Sequence, residues 1–128
     1  MKPHLLIFVL FITSIHAGET LEAELARLQH TRASATTQTD MNIASYEVAQ
    51  CWDRILKKEE AAVLVKFDAE GLKLFISAQK AWRDFRDAEI ALRGDQYRGG
   101  SISSLIVNGK FSELTEQRVK EIRELFKP

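Results

Sequence analysis

Cysteine is almost absent from this 128-residue chain. Cys51 stands alone, so no intrachain disulfide can hold the fold. In an oxidising compartment a single cysteine either bridges to another molecule or lies buried and inert. Histidine is nearly as scarce: His4 and His16 fall close to the N-terminus, and His30 borders a polar stretch. No base is therefore placed to activate Cys51 or a serine, and no His/Cys cluster has metal-ligand spacing. Gly99-Gly100 lacks both the Lys-Ser/Thr and the preceding strand of a phosphate loop. Carboxylate pairs such as Glu59-Glu60 lie in charge-alternating sequence, where solvation is the default. The chain reads as a non-enzyme, with no catalytic residue, no metal and no cofactor. Net charge is lacking too. With 18 basic and 18 acidic residues there is no electrostatic footprint for nucleic acid or for an anionic membrane surface.

What is present begins with a leader. Lys2 and His4 form a polar head, Leu5 to Ile12 is a nearly unbroken apolar run, and Ser14-Ile15-His16-Ala17 supplies a small residue for cleavage. That three-part layout predicts a signal peptide over residues 1–17, because the apolar run is too short to span a bilayer. No cysteine follows Ala17, which argues against a lipidated N-terminus. The expected compartment is the periplasm or the exterior. Cleavage leaves 111 residues with 17 basic and 18 acidic groups, and no integral membrane segment. One small domain of that size buries roughly 65% of its unfolded surface and folds around its own core.

Helical periodicity runs through the remainder, and no strand pattern competes with it. Leu21, Leu25 and Leu28 recur within Glu19 to His30, and the Thr-, Ser- and Ala-rich stretch to Asp40 reads as a linker. Residues 18–40 are thus expected to be a helical arm and polar linker, and residues 41–128 the helical domain. Asp40 is the expected cap of a helix from Met41 to Val65, with Met41, Val48, Trp52, Ile55, Leu56 and Val63 on one face. Cys51 falls at the edge of that stripe, which predicts partial burial, with a Cys51-linked dimer as the lesser outcome. Asp68 caps a helix to about Arg93, stopped by Gly94, whose apolar arc holds Leu72, Phe75, Ala78, Trp82, Phe85 and Leu92. The short turn between the two makes them antiparallel. Ser101 then starts a helix to Val107, Asn108-Gly109 breaks it, and Thr115 starts a last one to about Phe126. The expected architecture is all-α: a long antiparallel hairpin, two shorter C-terminal helices and an N-terminal arm. Its core includes Trp52, Phe75, Trp82 and Phe85.

Several polar residues interrupt the apolar arcs. Gln79, Arg86 and Glu89 lie in or beside the arc of the second long helix, and Glu59 near the centre of the first. Buried charges need partners. If paired positions sum to about 136 across the turn, Glu59 faces Gln79, and Arg86 faces Glu47 and Gln50. Arg86 also reaches Glu89 along its own helix. Glu47, Glu59, Gln79, Arg86 and Glu89 read as a structural network that fixes register; a polar, partner-facing pocket is the alternative. Tyr97, Arg98, Gly99, Gly100 and Ser101 form the loop best suited to meet another molecule. Tyr and Arg often dominate interface energy, and glycine permits positive φ or close approach. A plain connector, with Tyr97 packed back on the core, is the competing account.

Four pieces stand in a recognisable order: Met41-Asn42 with Asp53-x-x-Leu56, then Ala78-Gln-Lys-Ala-Trp-Arg-Asp-Phe-Arg-Asp-Ala-Glu89, then Tyr97-Arg-Gly-Gly-Ser101, then Leu114-Thr-Glu-Gln-Arg118. Together they resemble the lysozyme-inhibitor LprI N-terminal-domain family of small exported bacterial helical proteins, over roughly Thr39 to Leu125. That family's usual cysteines, near Ala44, at Ile90 and near Lys110, are missing here. The resemblance implies a protein partner, a lysozyme-type muramidase, inhibited by occlusion of a cleft that works through two carboxylates. The loop from Tyr97 to Ser101 would supply donors and a cation. A near-neutral inhibitor would be steered only weakly toward the strongly basic vertebrate lysozymes, which suits a neutral or acidic muramidase better. The alternative is a periplasmic envelope interaction or assembly module with no muramidase target, whose amphipathic arm docks into a groove.

Overall fold

The computed structural model describes residues 18–128. The signal peptide expected over residues 1–17, with its cleavage position at Ala17, lies outside the described residues. Among those described there are four helices and no strand: α1 (Leu21–Ser34), α2 (Gln38–Leu64), α3 (Ala69–Gln96) and α4 (Ser103–Glu124). The class is all-α. No helix among them is long and apolar enough to cross a membrane.

Side-chain caps set three of the four starts. Thr20 accepts from the Ala23 amide and Asp68 from the Gly71 amide. At α2 the cap is Thr37, three residues before the expected Asp40. The Thr37 hydroxyl accepts from the Asp40 amide and donates to the Asp40 carboxylate, so the two side chains close the first turn together. The expected linker is accordingly mostly helix, with only residues 35–37 joining α1 to α2.

α1 is no loose arm. Leu25 and Leu28 are buried in the same apolar cluster as Val48, Cys51, Trp52, Ile55, Leu56, Val119 and Ile122. Ion pairs from Glu24 to Arg54 and from Glu22 to Lys58 and Arg123 tie its first turns to α2 and α4. Cys51 lies beneath this helix at 0% exposure, rather than at a half-open edge, and its thiol donates to the Leu21 carbonyl at 3.5 Å. A disulfide to another molecule would require α1 to lift away.

The hairpin of α2 and α3 turns at residues 65–68, but its arms do not pack backbone to backbone. α4 lies along α2 and also borders α3, so it occupies the fork between them. The two expected C-terminal helices are one. Asn108-Gly109 sits inside α4 without breaking it, and Ser101 does not cap it, since the helix starts at Ser103 with no side-chain cap. Helix entropy opposes a mid-helix glycine by only about 1 kcal/mol, which the burial of Val119 and Ile122 in the cluster shared with α2 outweighs. Gly94 likewise does not stop α3, which runs two residues further. A Cβ there would sit 3.2 Å from Val107, so this glycine serves the close approach of α3 to α4.

Of the expected core residues, Trp52 and Phe75 are buried and Trp82 is partly buried against the main cluster. Phe85 is not: it is 53% exposed. The arc drawn from the sequence was wide enough to mix an inward and an outward row of α3. Phe75 stacks on Phe67 at 5.0 Å, and Phe67 meets Phe126 edge-on at 4.8 Å, which closes the turn end of the bundle.

Candidate functional site

At the opposite end, α3 gives way to α4 through residues 97–102. Backbone bonds wind this segment: the Tyr97 amide to the Gly94 carbonyl, Arg98 to Asp95, Gly100 to Tyr97, and Ser103 to Gly100. Gly99 has φ +79°, a conformation that favours glycine. Asn42, near the start of α2, donates its side-chain amide to the Ser101 carbonyl at 3.1 Å and pins the loop to the bundle. Tyr97, Arg98, Gly99, Gly100 and Ser101 are all exposed. The Gly100 amide is used internally, so the amides of Gly99 and Ser101 are the donors left for a partner. Arg98 is ion-paired with Asp95 but keeps most of its side chain in solvent.

Tyr97 also lines a pocket of about 490 Å³ between α1, α3 and α4, with Ser45 of α2 in the same lining. Arg32, Arg93 and Lys110 reach it from these three helices, over apolar walls of Leu105 and Ile106. Among the described residues, Lys110 alone of the three is paired with a carboxylate, that of Glu113 at 3.0 Å. Sequence reasoning missed this cluster. Its three cations are far apart in the chain, and no local pattern marks their convergence.

The polar residues of α3 have partners other than those expected. Gln79, buried, donates to Glu60 rather than Glu59, and its carbonyl accepts from Arg118 at 2.7 Å. Arg83 closes two bonds on the same Glu60 carboxylate. Glu59 instead pairs with Arg123 of α4 at 2.7 Å. Arg86 is buried and meets Asp87 at 3.2 Å and Asp53 at 3.8 Å, not Glu47, Gln50 or Glu89. Its guanidinium also lies over the rings of Phe111, at 4.3 Å, and Trp82, at 5.0 Å. Because α4 spreads the hairpin, pairing follows which long side chains can reach across, not the turn. Glu47 is exposed and Glu89 half-buried, and neither joins this network.

Clear electrostatic perturbations lie at α1, where it meets α2, and at the core thiol. The Arg54 hydrogen bonds hold the Glu24 carboxyl below its ordinary range, and the same bonds push the Arg54 guanidinium up. Glu22 is lowered first by its own backbone amide and then by Lys58. Burial pushes the Cys51 thiol up. Among the described residues no group of three or more His, Cys, Asp or Glu could hold a metal ion.

Among the described residues the protein is thus an all-α, four-helix fold with an exposed, glycine-jointed loop between α3 and α4. The family follows from comparison. The model of the family described as "Lysozyme inhibitor LprI" matches residues 29–122, and the chain belongs to that family. A protein of Rhizobium meliloti (strain 1021), itself described as uncharacterized, is 31% identical over 104 residues, covering 71% of this chain and 75% of its own length. No solved structure matches.

Proposed function

We propose that this protein is an exported, non-enzymatic inhibitor of a lysozyme-type muramidase, and that it acts by placing residues 97–101 in the target's cleft. The observation that carries this reading is the family match, which spans α2, α3, the loop, most of α4 and the C-terminal part of α1. The loop suits the task chemically. A muramidase cleft presents two carboxylates, one of them ionised. The Gly99 and Ser101 amides and the Tyr97 hydroxyl offer neutral donors, and Arg98 can exchange Asp95 for a target carboxylate at little cost because its side chain is solvated. Asn42 fixes the loop base, so less order has to be imposed on binding. Export to the periplasm or exterior rests on the leader expected over residues 1–17. Docking through α1, the element of the alternative assembly-module reading, has no such support, since the apolar side of α1 is already buried.

The test is inhibition of a panel of basic, neutral and acidic muramidases by the protein and by its Arg98→Glu variant. Inhibition of at least one target, lost in Arg98→Glu with an unchanged melting curve, is the expected result. Retention of full inhibition by Arg98→Glu would remove the loop from the mechanism. Absence of inhibition across the panel would remove the function.

A further inference from the structure

α3 carries two apolar rows, and the fold uses only one. The inner row, with Phe75, Gln79, Trp82 and Arg86, faces the bundle. The outer row is Leu74, Ala78, Ala81, Phe85, Ala88 and Leu92, whose spacing alternates four and three without a fault over five turns. Every one of the six is exposed, Leu74 at 64%, Phe85 at 53% and Leu92 at 55%. Scattered apolar residues on a surface are ordinary, but an unbroken seam at coiled-coil spacing is not.

The seam is also a palindrome. In an antiparallel pairing with itself, Leu74 lies opposite Leu92, Ala78 opposite Ala88, and Ala81 opposite Phe85. The three alanines let two helices come close, and each Phe85 ring covers the Ala81 of its neighbour. Apart from Glu70, which comes level with Asp95, charges along the solvent edge agree with the same register. Lys73 comes level with Asp95 of the second copy, and Lys80 with Asp84 and Asp87. These charged side chains are all more than half exposed, and the solvated ion pairs they make within their own chain can be exchanged at little cost. The two Asp84 carboxylates near the axis would each keep a Lys80 beside them.

We propose that α3 is a self-association face, on which a second copy of this chain docks antiparallel about a twofold axis through the outer row. Leu74 to Leu92 extends about 27 Å, so the contact is narrower than the standard interface of about 800 Å² per partner. The dimer is accordingly a reversible, concentration-dependent one. It involves neither Cys51 nor the loop at residues 97–101, and so does not depend on inhibition.

Sedimentation velocity over a concentration series tests it. The expected result is a monomer–dimer equilibrium that Phe85→Glu weakens at least about tenfold with the helical signal and melting curve retained. Lys73→Glu should weaken it as well, and adding Asp95→Lys should restore it. Under mild oxidation, Ala78→Cys combined with Ala88→Cys should give a covalent dimer, whereas Ala78→Cys alone should not. A protein that stays monomeric to sub-millimolar concentration, a dimer indifferent to Phe85→Glu, or cross-linking by Ala78→Cys alone would each overturn the proposal. So would a monomer whose Phe85→Glu variant instead loses muramidase binding, because the seam would then belong to the target.

Discussion

Replacing Arg86 separates the worth of its charge from the worth of its bulk. Its Nη1 is buried without a hydrogen-bond partner, and such a donor costs about 1–3 kcal/mol. Asp53 does not depend on it, since Lys57 holds that carboxylate at 2.7 Å, and Asp87 is largely in water. The penalty for stranding a buried counter-charge therefore does not apply in full. What Arg86 does supply is a flat group packed against Phe111 and Trp82. Arg86→Ala should open that space and cost about 2–3 kcal/mol, near the lower end for large-to-small core changes. Arg86→Met keeps the aliphatic stem, gives up the cation–π attraction and removes the unpartnered donor; these terms oppose one another, so it should stay within about 1 kcal/mol of the parent. At roughly 4 °C per kcal/mol for a domain of this size, Ala should melt about 8–12 °C lower and Met within about 4 °C. Urea and thermal unfolding followed by circular dichroism read both. If Met proves as damaging as Ala, the loose ion pair to Asp53 is the stabilising element and the packing argument is wrong.

Other consequences can be checked independently. Cys51 should resist thiol reagents at neutral pH in the native protein and react at once in denaturant; fast native labelling would mean that α1 opens readily. Glu24 has a folded pKa below its unfolded one, so its stabilisation is complete above the ordinary carboxylate range and fades as pH falls through the lowered value. Glu24→Gln should therefore destabilise the protein at neutral pH and flatten its acid-unfolding curve, and an unchanged acid limb would remove the Arg54 clamp from the account. Phe85→Ala should change monomer stability by less than about 0.5 kcal/mol, while Phe75→Ala costs about 3–5, because only Phe75 is buried.

How far the fold could be read ahead depended on whether the signal was local. The apolar stripe of α2 and the Asp68 cap are short-range features, and both appear in the structure where the sequence puts them. Asn108-Gly109 misled for the opposite reason. Turn chemistry is a local preference, and the contact of α4 with α2 along its whole length is a tertiary one that overrides it. Phe85 and Phe75 belong to the same kind of 100° plot, yet the plot cannot say that α4 covers one row of α3 and leaves the next bare. The loop at residues 97–101 was visible through its glycines. The Arg32, Arg93 and Lys110 pocket beside it was not, because three helices must be assembled before those residues meet.

The missing disulfides pose a sharper question under the export we propose, since small domains in an oxidising compartment often rely on them. Here packing and ion pairs take that role. Ala44 is buried at 4% exposure, and Ile90 and Lys110 are half-buried, so the positions where related chains would be expected to carry cysteines are filled by side chains that pack. α1 adds Leu25 and Leu28 to the core and brings Glu22 and Glu24 onto three basic groups of α2 and α4. Exposed pairs of this kind contribute little singly. They lie, however, around the rim of a helix whose inner side is apolar, where they fix its rotation over Cys51 and not merely its attachment. A stabilising helix held by reversible contacts leaves the fold independent of redox state. The thiol beneath it is shielded by the same element that completes the core.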